Sequence, residues 1–303
     1  MNLFFEKIKY LGKILKFLLN GEKIYEEQKL ILGSFLSRQV VLEKITNIFD
    51  AEFKIFSQWG DDGIIQWLIH NIEIQHKSFI EFGVDNYQES TSRFLMMNNN
   101  WSGYIIDGSK RNIKRIKNSS YYWRFELEAK HAFVDRKNIV SLIKQSSVGN
   151  NIGLLHIDID GNDYWVWEVL EIRPEIVIIE YNSVFGNKRS ITVRYQENFD
   201  RTKAHYSNLY FGASLPALCY LAEKKGYSFI GCTSSGNNAY FVRNDKTNKI
   251  VKKVEIEHGY VCSKARESRD KKGNLTFITG MNRLQAIKGM PVTNVITGEL
   301  EVL

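Results

Sequence analysis

A chain of 303 residues with 44% hydrophobic and 25% charged side chains can bury a substantial core, which excludes a disulfide-stapled miniature and, with 13% aromatic content, wholesale disorder. Its 41 Lys and Arg against 34 Asp and Glu give a formal charge of +7, which is compatible with anionic ligands, membranes or nucleic acid and selects none of them. Three widely spaced cysteines, Cys219, Cys232 and Cys262, fit neither a disulfide framework nor a Cys-x-x-Cys zinc pair, so a reducing cytoplasm is expected.

Residues 3–19 place Phe4, Ile8, Leu11, Leu15 and Leu18 on one side of a basic amphipathic helix. Lys7, Lys9, Lys13 and Lys16 interrupt its apolar runs, so no uncharged stretch reaches the ~20 residues needed to span a bilayer, and no small-residue cleavage site follows. We read the segment first as an arm packing on its own domain or on a second copy in a homo-oligomer. The second reading is a peripheral contact of residues 1–20 with the inner face of a membrane. A second helical stretch runs to about Glu43.

From residue 56 short apolar runs alternate with longer helical patterns, the signature of parallel βαβ units. Strands are predicted at 79–83, 103–107, 131–135, 153–159 and 176–181, and helices at 62–74, 89–97, 109–117, 137–146 and 163–170. A long polar segment follows at 183–211, where a lid over a substrate would belong. A helix at 214–225 and two strands, 227–232 and 238–243, close the pattern as an antiparallel hairpin. The fold class is therefore α/β: a Rossmann-like, doubly wound, mostly parallel sheet with a terminal antiparallel hairpin and helices on both faces. The expected division is a helical arm at 1–44, a catalytic domain at 45–243 and a C-terminal extension at 244–303.

Strands that end in an acidic residue or glycine and feed directly into helices put those residues at the carboxyl edge of the sheet, where open α/β folds bind ligands. In FIEFGVDNYQES, Gly83 lets a ligand approach the backbone, but the G-x-G-x-x-G fingerprint is absent because Asp85 and Asn86 stand where glycines would cradle a pyrophosphate. NAD and FAD are thereby disfavoured. Glu81 lies two positions before the glycine, and Asp107, ending the next strand, suits the two hydroxyls of an adenosine ribose. Asp135 ends the third predicted strand and is assigned to an adenine amino group or to capping the helix that follows.

Asp158 and Asp160 end the fourth strand, Glu180 and Asn182 the fifth, and together they offer oxygen ligands suited to Mg²⁺. Two closely spaced carboxylates need a cation or a proton to coexist when partly buried. Asp163 is read as a helix cap and His156 as a core histidine. His205, in the polar segment, is the candidate base. Lys188, Arg189, Arg194, Arg201 and Lys203 around it suit a phosphate or an acidic sugar on an acceptor.

The blocks SQWGDDGII (57–65), FIEFGVDNYQESTSRFL (79–95), WSGYIIDGS (101–109), LLHIDIDGNDYWVWEVL (154–170), PEIVIIEYN (174–182) and FGASLPALCYLAEKKGYSFIGCTSSGNNAYFVR (211–243) appear in order across most of residues 56–243. In these the chain resembles class I methyltransferases that use S-adenosylmethionine, specifically the FkbM-like family. The resemblance implies methyl transfer, usually to a hydroxyl of a sugar or polyketide-type product. Glu81, Gly83, Asp107 and Asp135 would then hold the donor. Asp158 and Asp160 would shape the acceptor site, with Glu180 and Asn182 as partners in a metal site and His205 as base. The expected acceptor is a saccharide or glycan intermediate, and the positive charge favours an anionic one.

Two rivals remain. Asp158-Ile159-Asp160 is also an Asp-x-Asp triplet of the kind that holds a metal and a nucleotide-sugar diphosphate in a glycosyltransferase. The basic residues would also serve a non-enzymatic membrane-surface or nucleic-acid binder. No RNA-recognition, helix-turn-helix or zinc-finger signature accompanies them, so no nucleic-acid partner is expected.

Overall fold

The computed structural model describes the backbone of residues 2–303 and the side chains from Gly21 onward apart from Glu22. The two helical stretches expected before residue 43 are one helix, α1 (Asn2–Leu42). Gly21, where the two predicted stretches meet, costs about 1 kcal/mol of helix propensity, too little to break a helix of this length. The apolar side chains predicted over 3–19 lie outside the described ones. Further along, Leu30 and Leu36 pack against Ile55, Phe56 and Phe94, and the Arg93 guanidinium sits between the Phe56 and Tyr121 rings while bonding Glu26 at 2.9 Å. No helix among the described residues is long and apolar enough to cross a membrane.

The core follows from strand alternation. Side chains in β1 (Ser78–Phe82), β2 (Ser102–Asp107), β3 (Leu127–His131), β4 (Leu154–Ile157) and β5 (Ile176–Glu180) sort by parity onto two faces. Phe79, Ile105, Leu154, Ile176 and Ile178 join one hydrophobic cluster, while Ile80, Phe82, Ile106, Leu155, Ile157, Val177 and Ile179 join the other. Apolar runs without polar breaks require a sheet covered on both sides. The first face is covered by α2 (Asp61–Asn71), α3 (Arg93–Asn99), α4 (Lys110–Lys117) and α5 (Ser120–Arg124). The second is covered by α6 (Ile139–Lys144) and α7 (Asp163–Val169), and further along the chain by Leu218 and Leu221.

The third strand lies earlier than predicted, at Leu127–His131 rather than 131–135. As an edge strand beside β2 it buries Leu127 and Ala129, alternates them with Glu128 and Lys130, and ends on the exposed His131, a pattern that the more apolar HAFVD run outweighed in the sequence. The polar segment 183–211 is structured, and its Phe199 and Arg201 line cavities. It contains β6 (Ile191–Val193) and α8 (Arg201–Ala204), and it buries Phe185, Phe199, Leu209 and Tyr210. Next come α9 (Leu215–Lys225) and the expected hairpin of β7 (Tyr227–Cys232) and β8 (Asn238–Arg243).

The C-terminal residues then return to the body through α10 (Ile256–Gly259), α11 (Met281–Ala286), β9 (Pro291–Asn294) and β10 (Leu300–Val302). There β6, β9 and β10 form a separate three-stranded antiparallel sheet, ordered β10-β9-β6. The main sheet is ordered β3-β2-β1-β4-β5-β8-β7, parallel except for the antiparallel β8 inserted between β5 and β7. Strand order reverses between β1 and β4. An α/β sheet opens a crevice at the carboxyl ends of strands that diverge in this way.

Candidate active site

Gly83, just past β1, holds φ at +74°, and a Cβ there would lie 1.6 Å from the carbonyl oxygen of Asp158 at the end of β4. Only glycine permits this approach, and it fixes the floor of the crevice. Three cavities radiate from it. One of about 380 Å³ is walled by Gly83, Asp107, Phe133 and Phe199; one of about 470 Å³ by Asp61, Glu81, His156 and Asn238; and one of about 240 Å³ by Trp59, Asp160, Glu180, Arg201 and Arg283. Asp158 lines all three.

Asp107 lies in the first cavity, where its carboxylate accepts the Ser109 and Asp85 backbone N–H groups at 2.7 and 2.9 Å. Each carboxylate oxygen carries two lone pairs, so Oδ2 keeps one for a ligand hydroxyl. Burial raises its pKa above the usual carboxylate range despite these bonds. The half-exposed Phe133 ring supplies an apolar wall beside it.

Asp135 stands outside this wall. The Tyr195 hydroxyl donates to both of its oxygens, at 2.8 and 2.9 Å, and the Lys137 N–H donates at 2.9 Å, because the strand stops at His131 and residues 132–138 form a turn. Its carboxylate is engaged in holding that turn, away from the cavity, and the N-cap position of α6 falls to Asn138, so Asp135 takes neither the adenine contact nor the helix cap.

Glu81 borders the second cavity, but its oxygens are taken. They accept from the Ser90 hydroxyl (2.7 Å), the Thr91 and Ser92 N–H groups (2.9 and 3.2 Å), the Ser92 hydroxyl and His156 Nδ1 (3.1 Å). Burial pushes the Glu81 carboxyl up, and the imidazole and serine bonds outweigh it to hold the group low. Burial pushes His156 down and the Glu81 carboxylate more than offsets it. The two form a buried ion pair that anchors the 90–92 turn, in place of the direct donor contact expected of Glu81.

Other atoms in that cavity are free. Asp61 Oδ1 accepts from Tyr240 Oη (2.5 Å) and Asn238 Nδ2 (2.9 Å), whereas Asp61 Oδ2, Asn238 Oδ1 and His156 Nε2 are buried without a partner. Buried polar atoms are almost always satisfied, so these orphans mark a place for a polar ligand.

In the third cavity Asp158, Asp160 and Glu180 bring carboxylate oxygens within 4.8 Å of one another. Burial, reinforced by Asp160, raises Asp158 to about 7, and burial with Asp158 beside it pushes Glu180 well above its usual range. Glu180 Oε2 is buried and unpartnered. Arg201 Nη1 bonds Asp160 Oδ1 at 2.6 Å and its guanidinium lies 3.9 Å from the Phe211 ring centre, so one positive charge already faces the cluster.

Asn182 does not join them. Its amide donates to the Leu209 and Phe211 carbonyls, both at 2.9 Å, and its Oδ1 accepts the Val184 N–H at 3.0 Å, so the side chain is engaged in holding its own loop. His205 lies outside the walls of the three cavities, its Nδ1 bonded to Ser207 Oγ at 2.7 Å. Burial lowers its pKa. The base expected there is not at the site, because α8 turns Arg201 and not His205 toward the carboxylates. Asp163 is an anchor, its oxygens accepting the Ile159 and Gly161 N–H groups, both at 2.8 Å.

Several lining residues carried no sequence signal of function. Asp61 and Trp59 sit in the SQWGDDGII block without a recognisable ligand spacing, and Arg283 is a lone arginine far along the chain.

No family model matches the chain, and no curated protein matches it. Among solved structures it is similar to the N-terminal domain of EvdMO1 with SAH bound, at 10% identity over 55% of this chain and 72% of that one, with a TM-score of 0.35. It is similar to an S-adenosylmethionine-dependent methyltransferase from Clostridium acetobutylicum at 9% identity, 60% and 90% coverage and a TM-score of 0.38. The O-methyltransferase from Bacillus cereus in complex with SAH matches at 11% identity, 70% and 81% coverage and a TM-score of 0.37. At these identities and scores the likeness does not extend to function.

Proposed function

We propose that the chain transfers a methyl group from S-adenosylmethionine to an oxygen of a saccharide or glycan acceptor. The observation that carries this reading is Asp158, the one residue among those described that is common to three cavities at the β1–β4 switch point. A donor and an acceptor bound in adjoining cavities would meet beside it, the proximity that a displacement between two bound substrates needs.

The residues fit the donor part by part. Asp107 offers an oxygen to the ribose hydroxyls, Phe133 an apolar wall to the purine, and the orphaned Asp61 Oδ2 and Asn238 Oδ1 two acceptors to the ammonium group. The acidic lining also suits a cationic sulfonium. When bound, the donor supplies an electrophilic methyl: the acceptor oxygen bonds to its carbon, the carbon–sulfur bond breaks, and the sulfur keeps the electron pair.

The acceptor alcohol must lose its proton, and Asp158, raised to about 7, is placed to take it at neutral pH. In the alternative to proton transfer to Asp158, the carboxylates of Asp158, Asp160 and Glu180, with the orphaned Glu180 Oε2, would hold a divalent cation such as Mg²⁺, which would lower the pKa of a bound alcohol.

Isothermal titration of the full chain with S-adenosylhomocysteine, UDP-glucose and GDP-mannose tests the reading. Binding of S-adenosylhomocysteine, weakened about tenfold or more by Asp107→Ala, is expected. Preferential binding of a nucleotide sugar, indifferent to Asp107→Ala, would overturn it in favour of glycosyl transfer. Labelled donor incubated with fractionated cell extract then identifies the acceptor by the mass of its labelled product.

A further inference from the structure

One positive charge in the third cavity, whose walls also hold Asp158, Asp160 and Glu180, has no ion-pair partner among the described residues. Arg283, on α11, is 8% exposed and lines this cavity with Asp158, Asp160 and Glu180. Its Nη1 donates to the Ser263 carbonyl at 2.8 Å, its Nε is buried without a partner, and it forms no ion pair among the described residues. Arg201 in the same wall differs, being bonded to Asp160 at 2.6 Å and to the Asn208 carbonyl at 2.7 Å. Glu267, also in the wall, is turned to Arg269 at 3.8 Å.

A guanidinium has five N–H donors in a planar fork that matches the two oxygens of a carboxylate or phosphate. A buried charge with no counter-ion is costly, and the cost falls when an anion arrives. Burial, with Arg201 nearby, lowers the Arg283 pKa, the direction expected of a cation lacking its partner. One further donor stands in the same wall: Ser183 Oγ accepts the Ser263 N–H at 3.1 Å and so keeps its own proton to give.

We propose that Arg283 and Ser183 form an oxyanion subsite, so that the acceptor carries a carboxylate or phosphate near the hydroxyl to be methylated. The inference rests on reading this cavity as the acceptor side. It gives the C-terminal segment a role in substrate selection that the α/β sheet alone does not supply.

The test uses the full chain saturated with S-adenosylhomocysteine, titrated calorimetrically with inorganic phosphate and, separately, with acetate, ionic strength being held constant with sodium chloride. Wild-type protein is expected to bind one of the two, which distinguishes a phosphorylated from a carboxylated acceptor. Arg283→Gln, which keeps a donor for the Ser263 carbonyl, should weaken that binding about tenfold or more with S-adenosylhomocysteine affinity unchanged. Ser183→Ala, on a different element, should weaken it several-fold and serves where Arg283→Gln fails to fold. If wild-type protein binds neither anion beyond chloride, or both variants bind as tightly as wild type, the subsite is wrong. Failure of S-adenosylhomocysteine to bind wild-type protein would instead overturn the methyl-transfer reading, whatever the anions do.

Discussion

Replacing Gly83 by alanine tests the geometry on which the crevice depends. The added Cβ would lie 1.6 Å from the Asp158 carbonyl oxygen, whereas a carbon–oxygen contact needs about 3.3 Å, so the ends of β1 and β4 must part by roughly 1.7 Å. Both are central strands that pair with each other, Phe82 opposite Ile157, and movement there propagates to both faces of the core. The φ of +74° adds about 1 kcal/mol for a residue with a Cβ, and forced displacement in a packed interior adds about 1–3 kcal/mol. We expect a loss of about 2–4 kcal/mol in urea unfolding, with S-adenosylhomocysteine binding weakened because Gly83 lines two of the three cavities. Gly108→Ala is the control. Its Cβ would meet only the Phe133 ring, at 3.7 Å, and stability should stay within about 0.5 kcal/mol of wild type. A Gly83→Ala protein as stable as the control, binding S-adenosylhomocysteine normally, would refute the reasoning.

Two further predictions concern buried polar groups. Asn182→Ala leaves the Leu209 and Phe211 carbonyls and the Val184 N–H without partners, which should cost about 3 kcal/mol while leaving Mn²⁺ affinity in calorimetry close to wild type. A stable Asn182→Ala protein with weakened Mn²⁺ binding would restore Asn182 as a ligand. Asp62 is pushed by burial to about 6, although the Ile55, Phe56 and Ser57 N–H groups and the Ser57 hydroxyl favour its anion. The folded protein therefore binds a proton between about pH 4 and pH 6 that the unfolded chain does not. Stability should fall as pH rises through that window, by up to about 3 kcal/mol. Asp62→Asn keeps the accepting oxygen, so it should flatten this slope and stabilise the protein at pH 8; denaturant midpoints with the same pH dependence as wild type would show that the hydrogen bonds, not burial, set this group.

Local sequence determined the sheet and its rim. Apolar runs such as IVIIE need cover on both faces, and each leads to a residue at the carboxyl edge, so Gly83, Asp107, Asp158, Asp160 and Glu180 were legible as residues of the rim, where they line the cavities. Where local patterns compete, the sequence misleads: HAFVD is more apolar than LEAKH, yet the edge beside β2 needs only one apolar face and takes the second. Hydrogen-bond engagement is a further matter. Glu81, Asp135 and Asn182 have the right side chains at the right rim, but each is engaged by protein partners that hold its neighbouring turns, and a side chain fixed in that way is turned to the fold before any ligand. Only the tertiary structure decided that. It alone brought Asp61 from before β1 and Arg283 from α11 to the crevice, because pairing β9 with β6 and packing α2 against the sheet join residues whose separation along the chain leaves no local pattern to read.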